Sequence, residues 1–341
     1  MTENISEINN DDLYEHFKII ADPKQQPLRL DKFLHKRLSS KSRTRIQNSI
    51  NVGNITVNGK KIKPSYLVRP CDILQLLLPN PPYNKELKAE NIPVNIVYED
   101  DDLIVVNKDA GMVVHPGFGN YNGTLVNAIL YHLSIKDSAD SLSRCGLVHR
   151  IDKNTSGLLV IAKSEEAMAS LAKQFFDHTI KRHYMTLVWG NIEKDATIDG
   201  YISRNIKNRK IMQVHKEEEK GKRIVTHYKV LKNFYYVTLL DVHLETGRTH
   251  QIRAHMKHIG HPIFGDSQYG GMTIVKGPNT NSYKNFVNSC FNITTEQMLH
   301  AKSLGFIHPK TNEYMHFDSA LPNNFKEILT KWEDMMSNSN N

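Results

Sequence analysis

Two hydrophobic periodicities run along the chain. Leu30, Phe33, Leu34 and Leu38 recur three and four residues apart, which predicts an amphipathic helix with Lys32, Lys36 and Arg37 on its other faces. A second helix is expected from Ser42 to Ile50, with Ser40 or Ser42 as its cap and Gly53 ending it. VGNITVNGKKI and DILQLLL follow as strand-type runs around an Asn58-Gly59 turn. Beyond residue 93, strand-type runs dominate: NIVYED, DDLIVVNK, LLVIA, YMTLVWG, RIVTHYKV and YYVTLLDVHLE are short, β-branched or aromatic, and bounded by Gly, Asp or Asn. SEEAMASLAKQFFDH begins with a Ser cap and two glutamates. It predicts a helix that packs Met168, Leu171, Ala172, Phe175 and Phe176 on a sheet. Thr249 to Ile259 reads as another helix, with Ile252, Met256 and Ile259 on one face and Gly260 at its end. The pattern predicts an α+β fold: a mixed or antiparallel sheet with flanking helices, preceded by a small α/β module.

At 341 residues the chain has room for about two domains. LPNPPYNKELKAENIP, with prolines at 79, 81, 82 and 93, reads as a linker over residues 79–92. Residues 1–26 carry six acids and two lysines and are expected to be a mobile acidic tail. The small module then spans 27–78, the large domain 93–330, and 331–341 forms a polar C-terminal tail. Cys71, Cys145 and Cys290 are scattered singletons without CxxC spacing, so neither a disulfide framework nor a cysteine zinc site is expected. No apolar run approaches the roughly 20 residues of a membrane span, and the acidic start is unlike a secretory signal. A cytoplasmic, monomeric protein without membrane attachment is expected.

The charge is unevenly distributed. The chain carries a formal net charge of +8, yet residues 27–78 alone hold eleven Lys or Arg against only Asp31 and Asp72. The basicity therefore belongs to one small module, whose cations, among them Arg29, Lys32, Arg43, Arg45, Lys60 and Lys61, are suited to nucleic-acid phosphates. No GxGxxG or GxxxxGK[ST] occurs, which argues against a nucleotide cofactor or an ATPase. His250, His255, His258 and His261 lie within twelve residues, but their spacing does not put three imidazoles on one helical face, and no metal is expected.

One polar tract stands out. In CGLVHRIDKNTSGLLVIAK, Asp152 lies beside Arg150, followed by Thr155, Ser156 and Gly157, before a strand of buried character. Taken alone, Asp152 could cap a turn and pair with Arg150. The string HRIDKNTSGLLVIAK, however, resembles the HRLDxxTSGLLV motif of RluA/RluD-type pseudouridine synthases, which isomerise uridines in structured RNA. EDDDLIVVNKDAGMVVHPGFGNYNGTLVNAILYHL, ETGRTHQIRAHMKHIGHPIFGDSQYG and LHAKSLGFIHPKTNEYMHF resemble further segments of that family, and residues 27–78 resemble its S4 RNA-binding domain. The match is closest to the branch that acts on large-subunit ribosomal RNA.

The resemblance implies an enzyme that breaks the bond between C1′ and N1, turns the base and rejoins it through C5, with no redox change and no cofactor. It implies Asp152 as the nucleophile, Arg253 as the cation that fixes it, and Tyr184 as the aromatic residue stacked on the target base. It also implies base extrusion, with Arg150 filling the gap and His149 as support. Ile151 and Asn154 depart mildly from the family pattern, and residues 272–298 follow it poorly, so that loop is a candidate for tuning substrate choice. The alternatives are a non-catalytic RNA-binding or ribosome-assembly factor on the same scaffold, which would have no need of Asp152, Tyr184 and Arg253, and a metal hydrolase built on the clustered histidines.

Overall fold

The computed structural model describes residues 14–37, 43–51, 53–78, 88–117, 120–134, 146–206, 208 and 210–339. The chain divides into two compact units, Met1–Lys85 and Glu86–Asn341.

In the first unit, strands β1 (Tyr14–Ile20), β6 (Ile73–Leu78), β3 (Ile55–Val57) and β4 (Lys60–Lys61) pair in that order, and β2 (Leu28–Arg29) pairs with β5 (Leu67–Val68). Helices α1 (Leu30–Arg37) and α2 (Arg43–Asn51) close a core of Leu30, Phe33, Leu34, Ile46, Ile50, Ile55 and Leu74. Gly53 follows α2 with φ 82°, and Asn58 and Gly59 turn the chain between β3 and β4 with φ 49° and 74°. The expected caps Ser40 and Ser42 and the apolar position Leu38 lie outside the described residues. Residues 14–20 correct the expected tail. They form an edge strand antiparallel to β6, a partner strand more than fifty positions away in the chain.

The second unit is built on an eleven-stranded sheet. Its strands are β7 (Asn95–Glu99), β8 (Leu103–Lys108), β9 (Gly146–Leu147), β10 (Ser156–Ala162), β11 (Lys181–Trp189), β12 (Ala196–Arg204), β13 (Met212–His215), β14 (Lys222–Asn233), β15 (Val237–Leu244), β16 (Leu299–Ile307) and β17 (Tyr314–Asp318). The order β13-β12-β14-β15-β11-β16-β10-β8-β7 is antiparallel except where β10 runs parallel to β16, and β17 and β9 pair with β16 and β10. Helices α3 (Leu125–His132), α4 (Glu165–Phe176), α5 (Gln251–His258), α6 (Asn281–Ile293) and α7 (Asn323–Ser339) flank it. The fold class is α+β.

Several boundaries differ from those expected. Residues 88–92 are packed onto this unit: the Glu90 amide donates to the Asn127 carbonyl, and Ala89 contacts the core. The expected C-terminal tail is the end of α7, where Trp332 is fully buried against Trp189, Phe264 and Phe286. A single large aromatic at helical spacing is enough to anchor a polar-looking segment. In α4 the Ser164 cap is present, accepting from the Ala167 amide, but Ala167 and Leu171 are the buried positions, while Met168 and Phe176 are exposed. The inward stripe is thus narrower than its apolar residues suggested.

Candidate active site

The loop between β9 and β10 carries Asp152. The Thr155 amide donates to the Asp152 carbonyl, and the Thr155 hydroxyl accepts from Gln297. The Ser156 hydroxyl bonds the His300 ring, whose other nitrogen meets Ser319. These hydroxyls pin the loop and leave the chemistry to the carboxylate. Gly157 has φ 114° where β10 meets β16 in parallel, and a Cβ there would lie 2.3 Å from the Ala301 carbonyl oxygen. Only glycine allows the loop to enter the sheet at that point.

Arg253 projects from α5 and is almost fully buried. Its Nη1 donates to Asp152 Oδ2 at 3.0 Å, its Nε and Nη2 grip both oxygens of Asp266 at 2.7 and 3.0 Å, and Nη2 also donates to Gln268 at 2.8 Å. Asp266 accepts the backbone amides of Gln268 and Tyr269 as well, so this fully buried carboxylate has its acceptors filled. Burial opposes the charge of Arg253, but Asp266 and then Asp152 outweigh it and hold the guanidinium above its ordinary value. The spatial order is a buried Asp266, a shared arginine, and Asp152 at the edge of open space.

The expected helix from Thr249 begins two residues later, because His250 takes a left-handed conformation, φ 57°. That turn lays the imidazole beside Asp152, with Nε2 3.8 Å from Oδ1. Tyr269 accepts the Met212 amide at 2.7 Å, which leaves its hydroxyl proton for His250 Nδ1 at 3.0 Å. Burial pulls His250 below its ordinary value, with Asp152 opposing, and pushes Tyr269 up to about 12.

Tyr184 sits on β11 where its pairing with β16 shifts register, between His183 and Tyr184. It is buried, and desolvation raises its phenol above the ordinary value. Arg150 and Asp152 both line three adjoining hollows of about 60, 420 and 500 Å³; Tyr184 lines the first and third, and Arg253 the first and second. A separate groove of about 590 Å³ beside Ile92 and Tyr131 lies away from these residues and offers no carboxylate. Lys108 lies beneath the loop, donating to the carbonyls of Asp109, Met112 and Lys153 at 2.6, 2.8 and 3.0 Å. Burial pulls its ammonium down to about 7 against Asp109 and Asp152, while the three carbonyls, one for each N–H, favour the charged form.

The structure thus brings Asp152, Tyr184, Arg253 and Arg150 together. His149 is half-buried beside them, stacked on Phe175 with centroids 4.4 Å apart, and desolvation followed by Arg182 lowers it to about 3. The four clustered histidines serve separate tasks: His255 bonds Thr226, His261 bonds the Trp189 carbonyl, His250 bonds Tyr269, and His258 is exposed. Asp100, Asp102 and His308 are close enough to hold a cation, but the His308 ring is spent on Asp100 and on the amides of Lys310 and Thr311.

In the first unit, Arg29 and Arg43 do not stand free. Both donate to Asp31, as do Gln47 and the Lys32 amide, at 2.7 to 3.3 Å. Burial alone would raise Asp31, but these hydrogen bonds outweigh it and hold the carboxyl well below its ordinary value. Lys32, Lys60 and Lys61 are exposed, and the Arg45 side chain lies outside the described residues. Asp72, the module's other acid, accepts from Asn58, Tyr66 and the Arg69 amide. Both acids are internal acceptors, so the surface is left to cations.

Asp266, Gln268 and Tyr269 were not singled out from sequence, and His250 was noted only as one of four clustered histidines. Asp266 falls inside HPIFGDSQYG, but an Asp between Gly and Ser reads as a turn residue until its arginine is known.

This site, on this sheet, defines a class: the chain belongs to the RNA pseudouridine synthase family and is an isomerase. The RNA pseudouridylate synthase model matches residues 102–258, and the S4 domain model matches residues 28–74. The chain is 43% identical over 321 residues to an "uncharacterized RNA pseudouridine synthase" of Chlorobaculum parvum, covering 92% of this chain and 97% of that one. It is 40% identical over 317 residues to ribosomal large subunit pseudouridine synthase D of Zymomonas mobilis, covering 92% and 95%. In fold it is similar to human RNA pseudouridylate synthase domain containing 1, with a TM-score of 0.51 and 23% identity over 72% of this chain and 96% of that one. Among the described residues no helix is long and apolar enough to cross a membrane.

Proposed function

We propose that the protein converts uridines to pseudouridine in large-subunit ribosomal RNA, acting in the cytoplasm as a monomer and without a cofactor. The observation that carries this reading is Asp152: a carboxylate whose Oδ2 is held by Arg253, with Oδ1 3.8 Å from His250 Nε2, in the lining of a pocket that Tyr184 also lines. The relatives named for the large ribosomal subunit support the choice of RNA.

In this reading the Asp152 carboxylate adds to the target nucleotide, the bond between C1′ and N1 breaks, and the uracil turns. C5 then bonds to C1′ and loses its proton, N1 gains one, and the carboxylate is released; atoms and electrons balance with no co-reactant. Arg253 holds and orients the carboxylate, Tyr184 supplies a face for the base, and Arg150, exposed at the mouth, fills the stack from which the uridine was drawn. The first unit grips phosphates with Lys32, Lys60, Lys61, the outer faces of Arg29 and Arg43, and Arg45.

Incubating the purified protein with in vitro-transcribed 23S ribosomal RNA and mapping pseudouridine is the test. New pseudouridines at discrete positions are expected. A 23S transcript left unmodified, alongside a transfer RNA pool that is modified, would move the substrate to another RNA class.

A further inference from the structure

The hollow of about 500 Å³ opens between the end of α4 and the loop after β15, with Asp152 at one end. Arg150, Arg182, Arg248 and His178 line it, and Asp152, already held by Arg253, is its single acidic lining residue. Arg182 is only 9% exposed, yet its Nε has no hydrogen-bond partner. Its guanidinium lies 5.3 Å from the centroid of Phe175, and among the described residues no carboxylate pairs with it. A buried guanidinium is an expensive group to leave without an anion, and the rest of this unit does not do so: Arg253, equally buried, has two carboxylates. Gly247 keeps the tip clear, since a Cβ there would lie 2.8 Å from Arg182 Nη1. At the rim of the same hollow stands Phe176, 82% exposed, a large aromatic that the core does not use.

We infer that this hollow is a second nucleotide subsite, which binds the RNA strand next to the extruded uridine. Arg182 and Arg248 take a backbone phosphate, and Phe176 stacks on the adjoining base. The fork of a guanidinium matches phosphate oxygens in geometry and charge, and an exposed aromatic beside a cationic groove is the arrangement that holds single-stranded nucleic acid without regard to sequence. The subsite rests on the reading of the neighbouring pocket as an RNA isomerase site. It adds that the enzyme holds the strand beyond the target base, so that extrusion is opposed by fixed contacts on that side.

The test measures equilibrium binding of the full-length protein to in vitro-transcribed 23S ribosomal RNA across a salt series, which does not depend on turnover. Arg182→Met and Arg248→Gln are each expected to weaken binding and to lower the slope of log affinity against log salt by about one phosphate. Arg182→Lys should restore most of that slope. Phe176→Ala should weaken binding by roughly tenfold with the slope unchanged, because stacking releases no counterions. Wild-type affinity and slope in folded Arg182→Met and Arg248→Gln would overturn the subsite. So would a loss of single-turnover rate in Arg182→Met at wild-type affinity, which would make Arg182 a support for Tyr184. Should Arg182→Met fail to fold, the exposed Arg248 and Phe176 variants decide the matter, and wild-type binding in both overturns it. Failure of the isomerase reading shows separately, as an absence of pseudouridine with the wild-type protein.

Discussion

Each unit contains a cluster in which one buried arginine or aspartate is shared by two residues of the opposite charge, and the two clusters are inversions of each other. In the first, a single buried carboxylate, Asp31, is shared by Arg29 and Arg43, whose side chains are each 43% exposed. In the second, a single buried guanidinium, Arg253, is shared by Asp152 and Asp266, and only Asp152 reaches a pocket. The first arrangement leaves positive charge at the surface, anchored at its base but open to solvent. The second leaves one anionic oxygen at the edge of a cavity, held from behind. The same two residue types therefore build a cationic surface or a pocket-lining carboxylate, according to which of them is in the minority and which is buried.

That contrast can be broken experimentally, and the largest effect is expected at Asp152. Asp152→Asn keeps the shape and removes the anion, so turnover should become undetectable while RNA affinity and circular dichroism change little. More than about a hundredth of wild-type turnover would take Asp152 out of the nucleophile role. Asp266→Asn tests the other half of the cluster. It leaves Arg253 buried with half its countercharge, and a stability loss of about 3–5 kcal/mol is expected in urea unfolding, together with lower turnover. A loss below about 1 kcal/mol would show that Asp152 alone satisfies the arginine.

For the first unit, deletion of Met1–Lys85 should weaken RNA binding and flatten its salt dependence, while the remainder stays folded. The cut must precede Lys88, because residues 88–92 belong to the core of the second unit. An unchanged salt slope would mean that the unit contacts something other than phosphate. The smallest effect is expected for Asp31→Asn, about 1–3 kcal/mol, since its partners are half-solvated. Because the folded-state value of Asp31 lies below its unfolded value of about 3.9, its contribution is present above that pH and fades as the pH falls further. The wild-type unit should therefore lose stability below about pH 4 more steeply than the variant, as followed by thermal melting. Parallel profiles would exclude Asp31 as the cause.

Much of the chemistry was legible in the chain because it is local. Asp152 and Arg150 sit in one short loop, Tyr184 lies within a strand and Arg253 on a helix, and the likeness of these local strings to family motifs is what named them. The charge excess of residues 27–78 was equally plain, and so were the Ser164 cap, the Asn58-Gly59 turn and the α+β alternation. What escaped the reading depends on distance along the chain. Arg253 and Asp266 are 13 positions apart across a helix end, a spacing with no periodic signature, whereas the pairing of Arg253 with Asp152, 101 positions away, was named only through the family resemblance. Residues 14–20 read as tail and residues 331–339 as polar end because the strand and the aromatic cage that recruit them lie elsewhere in the sequence.

By itself, then, the sequence determined the family, the candidate residues and the separation of a basic module from a larger domain, since residue type and local spacing carry charge, capping and periodicity. The tertiary structure alone decided how those groups are used. It decided that Asp266 stands behind Arg253, that Asp31 ties two of the cations to the core, that His250 turns toward Asp152, and that Arg182 is buried against Phe175 beside the pocket with no hydrogen-bond partner for its Nε among the described residues. Countercharge, burial and the vacancy next to a guanidinium are properties of neighbours in space, and a one-dimensional pattern contains none of them.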